Sequence, residues 1–71
     1  MVTVFKTNVR NAKQARRLLK EIHLHFKAYR ANFDLEDIDN ILRVACTEGG
    51  PVESAAIKNL LQRFGFLAET L

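Results

Sequence analysis

The 71 residues suffice for one domain and are too few for two, so residues 1–71 are read as a single unit. Hydrophobic residues make up 48% of the chain and charged ones 27%, a balance that excludes a disordered or fibrous polypeptide. The formal charge of +3 permits an acidic partner without pointing to one, and a single cysteine rules out an internal disulfide framework. No apolar run approaches the roughly 20 residues that span a bilayer. The start, Met1 to Lys6, lacks a signal-peptide core, so the expected location is cytoplasmic.

From Thr3 to Val9, Phe5, Thr7 and Val9 alternate with Val4, Lys6 and Asn8, which predicts a strand rich in β-branched residues. The period then changes. Ala15, Leu18, Leu19, Ile22 and Phe26 make the apolar stripe of a helix that starts at Ala12 and ends between Leu24 and Phe26. Lys13, Arg16, Arg17 and Lys20 fall on its opposite side. Asn11 is placed to cap this helix, with Gln14 completing a capping-box pattern.

Tyr29, Ala31, Phe33 and Leu35 alternate with polar residues as a second strand, and Glu36 to Asn40 forms a turn. Ile41 to Thr47 is a third strand, joined to the second as an antiparallel hairpin. Gly50 as cap and Pro51 at the first helical position predict where a second helix begins. Its apolar face is Val52, Ala56, Ile57, Leu60, Leu61 and Phe64. Gly65 is the expected left-handed residue after its end, with Phe66 folding back in a Schellman motif. A last strand occupies Phe66 to Leu71.

Two strand-helix-strand halves predict an α+β fold of ferredoxin-like β-α-β-β-α-β type, with four antiparallel strands and both helices on one face. The expected core is Phe5, Val9, Leu18, Leu19, Ile22, Phe33, Leu42, Val44, Ile57, Leu60, Leu61 and Phe64. Val2, Val4, Ile41 and Ala45 would share the other sheet face with Lys6, Arg30, Asn32 and Arg43.

The segments Val4 to Val9, Ala15 with Leu18 and Ile22, Asn32-Phe33-Asp34-Leu35, Ile41-Leu42-Arg43-Val44 and Leu60 to Phe66 give the chain a resemblance to the heavy-metal-associated domain. That is the fold of copper chaperones and of the N-terminal modules of metal-transporting ATPases. In the family, a Met-x-Cys-x-x-Cys loop after the first strand supplies two thiolates for a soft ion. With Val9 at the methionine position, Asn11 and Gln14 stand where the cysteines belong. One residue earlier, Arg10 and Lys13 stand there instead. Neither register supplies a thiol, so the resemblance implies the family's architecture without its metal carriage or any cofactor.

Other candidates are weaker. His23 and His25 are two apart, a spacing that does not converge on one helix face. They remain the alternative ligands, with Cys46, for copper or zinc bound in a non-standard way, although Cys46 in a strand reads first as a buried small hydrophobe. Asp34, Glu36, Asp37 and Asp39 read as a solvated turn rather than a calcium loop, since the glycine and terminal glutamate of an EF-hand are missing. No nucleophile with a base, paired carboxylate or phosphate loop suggests an enzyme.

The leading expectation is a small non-enzymatic binding module that contacts another protein. Its surface is the basic helix face of Lys13, Arg16, Arg17 and Lys20, or else the open sheet face, through which a homodimer could also form. The sheet lacks the stacking aromatics of sheet-type RNA readers, which makes nucleic acid a poor fit.

Overall fold

The computed structural model describes residues 2–71. Six elements follow in chain order: β1 (Val2–Thr7), α1 (Ala12–His25), β2 (Tyr29–Asp34), β3 (Ile41–Cys46), α2 (Ser54–Arg63) and β4 (Ala68–Thr70). The strands form one antiparallel sheet in the order β2-β3-β1-β4. The fold is therefore α+β, and no helix among the described residues is long and apolar enough to cross a membrane.

Strand register sets which side chains are buried. Phe5 lies opposite Leu42, which lies opposite Phe33, while Val44 faces Ala31 and Cys46 faces Tyr29. All of these project to one face, because successive strand residues alternate sides. Ala15, Leu18 and Ile22 of α1 and Ile57, Leu60 and Leu61 of α2 join them in a single buried cluster. Leu19, Phe33 and Phe64, expected inside, pack only partly buried at the margin of this cluster, and Ala15 and Tyr29 are buried in addition.

The first strand ends at Thr7 rather than Val9. The Thr7 hydroxyl donates to the Asn40 carbonyl at 2.6 Å and accepts the Val9 N–H at 3.2 Å. These two bonds turn the chain so that Val9 enters the core, where it is fully buried. The α1 cap forms as the sequence predicts: Asn11 Oδ1 accepts from Lys13 N–H at 2.8 Å and Gln14 N–H at 3.3 Å. Helix α1 ends at His25, and Phe26 stacks on Tyr29 with ring centroids 5.1 Å apart, tying the helix end to β2.

Helix α2 begins at Ser54, three residues after the expected Pro51, and its cap position is Glu53, which makes no side-chain cap bond. A tertiary contact fixes this start: the Glu53 N–H donates to the Tyr29 hydroxyl at 2.8 Å, and Glu53 takes a non-helical ψ of 86°. The helix end follows expectation. Gly65 has φ of +86°, its N–H bonds the Gln62 carbonyl, and the Phe66 N–H reaches the Leu61 carbonyl, each at 3.0 Å. Those are the two bonds of a Schellman motif.

Candidate functional site

The loop after β1 is committed to the helix it starts. Asn11 spends its carboxamide oxygen on two N–H groups of α1 and is that helix's cap. Gln14 supplies one of those N–H groups and returns no side-chain bond to Asn11 among the described residues. Arg10 and Lys13, the other register, are both exposed.

His23, His25 and Cys46 are not brought together. His23 Nε2 accepts the Ala31 N–H at 3.1 Å, which places its ring against β2. His25 sits 3.7 Å from Glu21 one turn back. Cys46, half-buried, lies on the core side of β3 opposite Tyr29, with Gly50 passing close to its sulfur. Among the described residues no three His, Cys, Asp or Glu side chains come within metal-holding reach of one another.

The acidic turn is built for shape. Asp34 Oδ1 accepts the Glu36 N–H at 3.2 Å and Asp37 Oδ1 the Asp39 N–H at 2.9 Å, both Asx-type turn bonds. Asn40 closes the turn in a left-handed conformation with φ of 49°. Two of the carboxylates then pair with cations on the open sheet face, Asp39 with Lys6 at 3.8 Å and Asp34 with Arg43 at 3.7 Å. The strand register sets Lys6 and Asp34 on either side of Ile41, and Ile41 is 4% exposed although it faces away from the helices. The expected apolar patch on that face is smaller by this residue. Val2, at 53% exposure, remains its most open member.

The basic face of α1 divides. Arg17 lies over the Phe64 ring with 5.1 Å from its guanidinium carbon to the ring centroid, a cation–π contact that bridges α1 to α2. Lys13, Arg16 and Lys20 are exposed and form no ion pair among the described residues. Glu21, the only acid on α1, is turned to His25. Three unneutralised cations therefore span two turns of one helix face.

Beside Arg16 runs an open groove of about 550 Å³ between α1 and β2, floored by Leu19, Phe33 and Leu35. Sequence reasoning did not mark it. Leu19 and Phe33 read as ordinary core positions, and in the fold they and Leu35 are only partly buried. Two smaller hollows, about 270 Å³ beside Leu67 and Glu69 and about 160 Å³ beside Arg17 and Phe66, bring no catalytic set together. Comparison with protein-family models, with curated proteins and with solved structures finds no match to this chain.

Proposed function

We propose that this chain is a non-enzymatic protein-interaction module of ferredoxin-like arrangement, related in architecture to the heavy-metal-associated domain and without that family's metal site, acting in the cytoplasm. The strand order β2-β3-β1-β4 and the shared core of two helices support the architecture. The capping role of Asn11 supports the loss of the metal loop. The observation that carries the binding role is the row Lys13, Arg16 and Lys20, exposed and unpaired in a chain whose other charged groups include the Lys6–Asp39 and Arg43–Asp34 ion pairs. Like charges kept at one-turn spacing cost an isolated helix a few tenths of a kcal/mol each. An acidic surface on a partner reverses that cost and speeds encounter. The open sheet face supports the reading less well, because Ile41 is already covered and ion pairs occupy its flanks.

The test is photo-crosslinking from position 13 or 20 in the native chain, compared with the charge-reversed Arg16→Glu, Lys20→Glu variant. Partners joined by the native chain should be attached through acidic segments, and the reversed variant should lose them by about tenfold or more, the effect of one charge-assisted contact. Equal crosslinking by both proteins overturns the helix-face reading.

A further inference from the structure

The open sheet face keeps its two signs of charge at opposite ends. Register sets Arg30, Ala45 and Val2 in one row across the strands. Asp34, Ile41, Lys6 and Glu69 make a parallel row four residues further along β2. The row between them holds Arg43 and Val4, and Leu71 joins it through the bond from its N–H to the Val4 carbonyl at 2.9 Å. Both arginines thus lie in the first two rows, which contain no acidic side chain, and the acids lie in the third. Arg43 reaches across to Asp34, and Lys6 turns to Asp39 in the neighbouring turn. Arg30 and Glu69, both exposed, are left without an ion pair among the described residues. One stands on the edge strand β2 and the other on the edge strand β4, at opposite corners of the face. Val2, Val4, Ala45 and Leu71 are the apolar part of that face, with Val2 and Leu71 exposed.

We propose that this face binds a second copy of itself, sheet against sheet about a two-fold axis, with Arg30 of each copy paired to Glu69 of the other. A two-fold contact is self-complementary, so each group must meet its complement on the other copy and the reverse. One unpaired cation and one unpaired anion at opposite corners meet that demand. The face is also neutral as a whole, since Lys6, Arg30 and Arg43 balance Asp34, Asp39 and Glu69. The chain's excess of +3 therefore lies elsewhere and stays out of the contact. The dimensions agree. Arg30 and Glu69 are three strand spacings apart across the sheet, about 14 Å, and four residues apart along it, again about 14 Å. An axis that exchanges such corners makes the strands of the two sheets cross at about 90°, one of the two ways in which sheets pack. The same rotation sets Leu71 of one copy over Ala45 and Val2 of the other. The two Arg43–Asp34 pairs meet near the axis, each already neutralised within its own copy. Four strands and three rows make a small face, so the dimer belongs with weak interfaces of less than about 1,200 Å² in total. The helices lie on the opposite side of the sheet, and the contact leaves Lys13, Arg16 and Lys20 free for another partner.

The test is sedimentation equilibrium of the native chain from about 10 μM to about 1 mM, the range in which an interface of this size forms. The apparent mass should rise with concentration from that of one chain towards that of two. Arg30→Glu and Glu69→Arg should each weaken association by about tenfold or more, because one substitution spoils both symmetric contacts. Mixed in equal amounts, these two variants should associate like the native chain, since the mixed dimer has opposite charges at both contacts. Arg16→Glu, Lys20→Glu should associate no more weakly than the native chain, which separates this contact from one on the helix face. A chain that stays single at every concentration overturns the proposal. So does association that neither reversal weakens, or that mixing fails to restore, because such a dimer is built at a strand edge or on the helices.

Discussion

His23 shows how one side chain can have a role that its position in the sequence does not reveal. On the helix it falls between the buried stripe and the cationic face, and helix-end statistics would explain it as a favourable partner for the negative helix terminus. In the fold its Nε2 is the acceptor for an N–H on an edge strand, a group that otherwise offers itself to any passing chain. In that bond the ring nitrogen serves as an acceptor. Replacing His23 with Ala removes the acceptor and leaves the ladder bonds of β2 to β3 intact. Amide exchange at Ala31 should then quicken by about fivefold, the worth of one net hydrogen bond of about 1 kcal/mol. Arg30 and Asn32, whose N–H groups point into the sheet, should exchange as before. An Ala31 rate that does not change would mean the contact contributes nothing in solution. By contrast, the Asn11 cap was legible because both of its bonds stay within three residues. The Ala31 bond spans eight residues and depends on where the helix comes to rest.

The two ends of α2 divide along the same line. Its C-terminus is written locally: Phe64, Gly65 and Phe66 carry the cap, the left-handed residue and the apolar contact in immediate succession. Its N-terminus is set by the Tyr29 hydroxyl, which is 24 residues away in the chain, so Gly50 and Pro51 promised a start that the tertiary bond displaced to Ser54. Hence the first is readable from sequence and the second is not. The local motif also makes a clean prediction. A Cβ built at Gly65 meets nothing within 4 Å, so Gly65→Ala has room, and its cost comes only from holding alanine at φ of +86°. That cost is about 1 kcal/mol. For a domain of this size it lowers the melting temperature by about 4–8 °C. Differential scanning calorimetry measures it directly. A melting temperature within a degree of the native value would show that Gly65 does not hold the left-handed conformation.

At the scale of the molecule, period-2 and period-3.6 patterning placed nearly every buried residue, because each strand and helix has a single face turned to a shared core. What patterning could not supply was the relative placement of elements. Ile41 faces away from the helices and is nonetheless buried, since β1 brings Lys6 beside it and the Asp39 and Asp34 pairs close over its flanks. The groove at Phe33 arises the other way, from a core-face residue that α1 does not fully cover. A chain of 71 residues with one such core is stable by only about 4–10 kcal/mol at typical values per residue. Leu60 is fully buried between α2 and the sheet, so Leu60→Ala should remove about 2–5 kcal/mol through lost transfer energy and the cavity left behind. Ile38 is larger than alanine by the same kind of apolar surface but is 94% exposed, so Ile38→Ala should stay within about 0.5 kcal/mol of the native chain. Urea unfolding separates the two: the Leu60 variant should lose about a fifth or more of its midpoint concentration with little change in slope, and the Ile38 variant should overlay the native curve. Equal midpoints for both would mean that burial in this sheet-and-helix layer is not what holds the fold. A lowered midpoint for Ile38→Ala alone would place a stabilising contact on the turn, where the structure shows the side chain standing in solvent.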